Sequence, residues 1–180
     1  MVEIDDFYVG ARRGGAGRGT SKRPMVCCVE RGRAGAGGRR GRCAIEAVPD
    51  VSGDSYRRFA REHVDPSAVV RADGWQGVRG GLAGWPGLDQ RPFDPADPDA
   101  SLPVAHHVIS NFKAMVRGTF HGLPAGSLQS AADEFSWRYS HRDAADAFAD
   151  LVRDVAACVL RPLALVASPP SRSGWKAAVA

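Results

Sequence analysis

Four residues, in the order Asp5, Asp73, His106 and Lys113, have the types and spacing to act on a phosphodiester. Asp5 lies within a strand-like EIDD. Asp73 sits in ADGW, 33 positions before His106, and Lys113 follows His106 by seven residues within LPVAHHVISNFKAMVRGTFHG. Phosphodiester cleavage and strand transfer need an aligned nucleophile, water or a 3′-hydroxyl, and positive charge on the attacking and leaving oxygens. A pair of divalent ions about 3.5–4 Å apart supplies both. Hard ions such as Mg²⁺ take oxygen ligands, so carboxylates dominate such centres. The expectation is that Asp5 bridges two ions, Asp73 holds one and His106 the other. Seven helical residues are just under two turns, so Lys113 projects the same way as His106, roughly 10 Å along the axis. There its ammonium would hold the DNA strand being cut.

Taken singly, each residue has a plainer reading. An aspartate late in a strand often forms a turn, Asp73 before Gly74 can cap one, and a histidine or lysine on a helix is usually a solvated surface group. The ordered combination is what points to phosphoryl transfer, and it requires elements that bring distant positions together.

Those elements read as follows. VEIDDFYV (2–9), PMVCCVER (24–31) and RCAIEAVP (42–49) predict three strands in an antiparallel meander. They are joined by Gly/Arg-rich loops at 11–23 and 32–41. Ser52-Gly53-Asp54 resembles a helix cap, and Tyr56, Phe59, Ala60 and Val64 follow with helical spacing. AVVRAD (68–73) predicts a short buried strand, parallel to one of the meander strands. Residues 84–103 form a Pro- and Asp-rich loop with one weak strand at 88–93. A helix begins at 103, with Val104, Val108, Phe112 and Met115 as its apolar stripe and His106, Ser110, Lys113 and Arg117 as its polar one. Two more helices follow. One spans about 125–140, with Leu128, Ala131, Ala132, Phe135 and Tyr139 inward. The other spans about 143–160, with Asp143 as N-cap and Phe148, Leu151, Val152, Val155 and Val159 inward.

This order predicts an α/β fold, a ribonuclease-H-like mixed sheet with flanking helices. The first and fourth strands would lie side by side, making Asp5 and Asp73 neighbours. Residues 1–160 would form one catalytic domain and 161–180 a disordered tail.

Composition bounds the partners. At 180 residues with 44% hydrophobic and 24% charged, the chain can build a real core. No apolar run approaches a membrane span and no leader is evident at the N-terminus, so a cytoplasmic, nucleoid-associated location is expected. The four cysteines (27, 28, 43, 158) form no Cys-x-x-Cys pair and read as reduced, partly buried thiols. Residues 11–42 hold ten Arg or Lys against the single acid Glu30, so that block carries about +9 of a chain whose net charge is +4. An anionic partner is expected, with Lys113, Arg117, Arg12, Arg13, Lys22 and Arg23 as DNA-phosphate contacts.

VEIDDFYVG, ADGWQGV, LPVAHHVISNFKAMVRGTFHG and LQSAADEFSWRYSHR together resemble the catalytic domain of bacterial insertion-sequence transposases of the ISXO type, within the DDE superfamily. The resemblance spans roughly residues 2–153. It implies that Asp5 and Asp73 are the first two metal ligands, that His106 stands where many relatives carry Glu, that Lys113 contacts DNA near the cut, and that Trp75 packs beside the site. Mg²⁺ or Mn²⁺ (two ions), insertion-sequence ends and target DNA, and a homo-oligomer in the active state follow from the same resemblance. So does a reaction in which element ends are nicked and the freed 3′-hydroxyl attacks target DNA.

The chain departs from the family in three ways. A neutral imidazole at 106 is a weaker Mg²⁺ ligand than a carboxylate and tilts preference toward Mn²⁺. Asp6 adds a neighbouring carboxylate, but strand alternation turns it to the other face. The Arg-Phe-Asn-Arg-type ending appears as RYSHR, altered at Ser140 and His141. The family's usual N-terminal zinc ribbon is not found before Asp5. That leaves a rival reading, an inactive remnant that binds DNA non-specifically or co-assembles with a full-length transposase. A nuclease of RNA–DNA hybrids is a third reading, though such enzymes keep a full carboxylate set.

Overall fold

Strand alternation in the first eight-residue run sets up the whole molecule. In the computed structural model, which describes residues 1–10, 22–32, 41–92, 96, 101–120, 123 and 125–159, that run is β1 (Val2–Val9). It pairs antiparallel with β2 (Arg23–Glu30), which pairs antiparallel with β3 (Cys43–Ala47). The meander predicted from sequence is therefore present, with ends shifted by one or two residues. After α1 (Gly53–His63), β4 (Val70–Asp73) adds to the free side of β1 in parallel, as predicted. After α2 (Gln76–Leu82), β5 (Leu88–Arg91) pairs parallel with β4. The result is a mixed five-stranded sheet in the order β3-β2-β1-β4-β5, followed by α3 (Pro103–Phe120), α4 (Leu128–Ser140) and α5 (Ala147–Val159).

The period of two sends alternate side chains to opposite faces. Val2, Ile4, Val26, Cys28, Ala44, Val70 and Ala72 pack under α1 and α2, around Tyr56, Phe59, Val78 and Leu82. Phe7, Met25, Cys27, Val29, Cys43 and Ile45 pack under α3 and α4, around Phe112, Leu128 and Phe135. Adjacent Cys27 and Cys28 thus serve different cores, as alternation predicts. Cys27, Cys28 and Cys43 are buried free thiols, and burial pushes all three up, Cys43 to about 12, which favours the neutral thiol over the reactive thiolate. The side chains of Cys158 and Val159, residues 11–21 and 33–40 with Arg12 and Arg13, and residues 160–180 lie outside what is described.

Helix starts follow local chemistry. Ser52 caps α1 by accepting the Ser55 N–H. The helix α2 was not predicted, because QGVRGGL carries three glycines that weaken a helix. Packing explains them: a Cβ at Gly81 would lie 2.4 Å from the Gly53 carbonyl oxygen, so α2 approaches α1 only where both lack side chains. On α3 the buried stripe is Ala105, Val108, Ile109, Phe112 and Val116. Val104 and Met115, predicted as core, are only partly buried. On α4, Leu128, Ala131, Ala132 and Phe135 are buried as predicted, while Tyr139 is partly so.

α5 corrects the sequence reading most. Phe148, Leu151, Val152 and Val155 were expected inward, yet Phe148 is 75% exposed and the other three are exposed as well. Both faces of the sheet are already covered by the other four helices, so no described surface remains for this stripe. A hydrogen bond from Trp137 Nε1 to Asp154 Oδ2 (2.8 Å) ties α5 to α4. Its N-cap is Asp146, which accepts the Ala149 N–H, and not Asp143.

β3 is an outer strand, and α4 covers its outward edge. Gln129 Oε1 accepts the Ala47 N–H (2.8 Å) and its amide donates to the Ile45 carbonyl, while Ser140 Oγ accepts the Cys43 N–H (3.2 Å). Ser140 and Arg142 of the RYSHR segment therefore have architectural partners here, Arg142 donating to the Gly41 carbonyl. Among the described residues, no helix is long and apolar enough to cross a membrane.

Candidate active site

The α3/α4 face of β1 carries Glu3, Asp5 and Phe7, alternate residues of one strand. Asp5 is held from its own backbone: Oδ1 accepts the Asp6 N–H at 2.8 Å. Its other oxygen, Oδ2, lies 3.3 Å from His106 Nε2, and both side chains are partly accessible, 15% and 29% exposed. These residues are 101 positions apart in sequence, and α3 brings them together.

Asp73 ends β4. The paired register of β1 and β4 runs Val2 with Val70, Glu3 with Arg71 and Ile4 with Ala72. One step further along both strands come Asp5 and Asp73. Val70 and Ala72 belong to the α1/α2 core, so alternation gives Asp73 the same face as Asp5. Asp73 Oδ1 accepts the Trp75 N–H at 3.0 Å, an Asx-type turn that orients the carboxylate as the strand ends. The neighbourhood is strongly acidic. Burial, together with the carboxylates of Asp6, Asp5 and Asp73, raises the buried Tyr56 phenol above its ordinary value.

Lys113 lies two turns along α3 from His106, with Nζ over the Phe7 ring at 5.3 Å. Partial burial lowers its ammonium below the ordinary value; Asp5 opposes that shift, while Lys22 and Arg117 add to it. Three of the cations expected to meet phosphate, Lys22, Lys113 and Arg117, thus influence one another beside Asp5. Arg117 Nε also donates to the Lys113 carbonyl. Arg23 opens β2 and is exposed.

One expectation needs adjusting and one holds. Trp75 adjoins Asp73 in sequence, but its ring is on the α1/α2 side, with Nε1 donating to the Val51 carbonyl. Asp6 does point away from the site: Oδ1 accepts the Tyr56 hydroxyl at 2.6 Å on the opposite face. The sequence reading had missed Tyr56 in this role, as it had missed Glu3, which is fully buried and accepts the Val104 and Ala105 N–H groups.

A second group of metal-ligand types lies elsewhere, in the α1/α2 layer. Ligand atoms of Glu46, Glu62 and His63 fall within 4.8 Å of one another. Arg58 already lies 2.7 Å from Glu46 and 3.8 Å from Glu62, and His63 Nε2 is 3.0 Å from Glu46 Oε2, so an ion there would have to displace a guanidinium. Burial would raise the Glu46 carboxyl, but hydrogen bonds from His63 and Arg58 outweigh it and hold the group below its ordinary value. This is the pattern of a buried ion-pair network. Among the described residues only this Glu46–Glu62–His63 trio brings three such ligand atoms within 4.8 Å of one another; on the other face of the sheet Asp5 and His106 meet, and the β1–β4 register continued by one step sets Asp73 beside Asp5.

No curated protein matches this chain, and no solved structure does. The model of the ISXO2-like transposase domain family matches residues 1–82, a stretch that includes Asp5, Asp73 and Trp75. Over that stretch the match supports an insertion-sequence transposase of this type, as the sequence motifs imply.

Proposed function

We propose that this chain carries the catalytic centre of a DNA transposase, with Asp5, Asp73 and His106 as ligands of divalent ions, Mg²⁺ or Mn²⁺, and Lys113, Arg117, Lys22 and Arg23 as contacts to DNA phosphates. Arg12 and Arg13 belong to the same basic segment. The single observation that carries the reading is the 3.3 Å approach of His106 Nε2 to Asp5 Oδ2, midway along β1, where the β1–β4 register continued by one step would set Asp73 beside Asp5. The family implies divalent-metal use and DNA binding. The strand order, with β1 and β4 parallel at its centre, supports a ribonuclease-H-like architecture.

Asp5, Asp73 and His106 would hold the divalent ions, which would supply positive charge for the attacking and leaving oxygens of the phosphodiester. The chain's own residues set the geometry. Asp5 has one oxygen fixed by the Asp6 amide, which aims the other toward His106. The turn at Trp75 fixes Asp73 in the same way. Lys113, held over Phe7 and kept cationic in part by Asp5, offers its ammonium to the backbone phosphate. These contacts position DNA without reading sequence. The reaction is nicking at element ends followed by attack of the 3′-hydroxyl on target DNA, in a homo-oligomer.

The test is a plasmid nicking and strand-transfer assay in Mn²⁺ and in Mg²⁺, comparing wild type with Asp73→Asn. Activity that disappears in the variant supports the reading, and equal activity in both removes the site. DNA binding without nicking in either protein favours the non-catalytic remnant.

A further inference from the structure

Glu3 is buried to 0% exposure on β1, between Val2 and Ile4 and paired with Val29 and Arg71 on the flanking strands, and the proposed chemistry does not use it. A buried carboxylate is costly unless hydrogen-bonded, so its partners indicate what it is kept for. Oε2 accepts two backbone N–H groups, Val104 and Ala105, each at 2.9 Å. Oε1 lies 3.7 Å from the Arg31 guanidinium.

Those two N–H groups complete the start of α3. A helix leaves its first four N–H groups without intrahelical partners. In α3 the first residue is Pro103, which has no N–H. The His106 N–H bonds the Leu102 carbonyl. That is the first i→i−4 bond of the helix; the N–H groups just before it, on Val104 and Ala105, are the ones an N-cap side chain normally takes, and the Leu102 side chain at that position has no oxygen to offer. Glu3 supplies the cap from another element, with the negative charge that a helix N-terminus favours.

The register is matched at several points. From Glu3 to Phe7 the strand rises roughly 13 Å. From the capped turn at 104–105 to Phe112 the helix rises roughly 12 Å. Phe7 meets Phe112 edge-on at 5.8 Å, closing the far end. Asp5 and His106 lie between these two fixed points. His106 is the residue immediately after the two whose N–H groups Glu3 holds.

We propose that Glu3 is a positioning residue for the candidate centre, holding the first turn of α3 on β1 so that His106 Nε2 meets Asp5. The inference rests on the proposed metal-binding role of that pair. It gives one strand segment, Glu3 to Asp5, two jobs: the later carboxylate is the ligand, and the earlier one places its partner.

The test uses the full chain with Mn²⁺ as the probe. Glu3→Gln keeps an oxygen able to accept both N–H groups; Glu3→Leu keeps the bulk and removes the acceptor. Glu3→Leu should weaken Mn²⁺ binding by about tenfold, the low end of the effect of residues that support metal ligands, while Glu3→Gln stays close to wild type. In a His106→Ala background Glu3→Leu should cause no further loss. Wild-type Mn²⁺ affinity in folded Glu3→Leu overturns the proposal, and so does an undiminished loss in the His106→Ala background, which would mean general destabilisation. Should Glu3→Leu not fold, Glu3→Asp, too short to span the same gap, replaces it with a smaller loss expected under the same comparison. The His106 imidazole resonances of the metal-free protein separate this proposal from the metal reading. Resonances moved by Glu3→Leu in a protein that binds no Mn²⁺ sink the metal ligation and keep the anchor; unmoved resonances sink the anchor.

Discussion

Replacing His106 with Glu tests the candidate centre through charge alone. The imidazole now sits 3.3 Å from Asp5 Oδ2. A glutamate at 106 would set a second carboxylate beside the first. At about 4 Å, like charges repel by about 1 kcal/mol in a water-like dielectric and about 4 kcal/mol at the effective dielectric of a protein surface. Both side chains are less than a third exposed, so a value between these limits, about 2 kcal/mol, applies to the metal-free protein. For a chain of this size that lowers the melting temperature by roughly 4–8 °C. A divalent cation should reverse the loss, because the same two carboxylates then become its ligands. Mg²⁺ at a hundred times its Kd restores about 2.7 kcal/mol. The assay is a thermal melt of wild type and His106→Glu, without metal and across a Mg²⁺ titration. The variant should melt lower without metal and gain more from Mg²⁺ than wild type does. A variant that melts with wild type and ignores Mg²⁺ would refute the claim that residue 106 and Asp5 share an ion.

Three further outcomes are expected. Tyr56→Phe removes the 2.6 Å hydrogen bond to Asp6 and should cost about 1.5–3 kcal/mol in urea unfolding, as bonds to charged groups do; a loss under 0.5 kcal/mol would mean the hydroxyl is dispensable. Glu46 has a folded-state pKa below its ordinary value of 4.5, so its contribution to stability is fully present above that value and is lost as pH falls through the lowered one; Glu46→Gln should flatten the decline of unfolding free energy between neutral and acid pH, and an unchanged slope would contradict it. Phe148→Ser on the exposed stripe of α5 should change stability by no more than about 0.5 kcal/mol, whereas Phe112→Ala in the core should cost about 3–5 kcal/mol, both read by chemical denaturation; a large loss at Phe148 would show the stripe to be covered in solution.

Much of the frame was legible in the sequence because its signals were local. Alternation in VEIDDFYV and PMVCCVER gave strands with two useful faces, and it also sent Asp6 away from Asp5. Ser52 announced α1, and helical spacing in 103–120 put His106 and Lys113 on one side. What escaped depended on partners distant in sequence. Glu3 looked like an ordinary polar residue at the start of a strand, and the hint lay a hundred residues away, in a helix beginning Leu102-Pro103 with no capping side chain. The glycines of α2 read as helix breakers because their cause, contact with Gly53, is tertiary. The stripe on α5 has the right period for burial, but period alone does not say whether a surface is left to receive it. Tyr56 read as core, which it is, yet its hydroxyl has the separate task of engaging Asp6.

The side chains of Gln129 and Ser140 along β3 have a consequence for how the chain behaves in company. A bare outer strand is a template on which a second molecule can extend the sheet, the first step toward aggregation. Here an amide and a hydroxyl from α4 occupy the backbone groups of Cys43, Ile45 and Ala47 that such a molecule would seek. A Gln129→Leu variant would reopen part of that edge, and its first symptom should be self-association at high concentration.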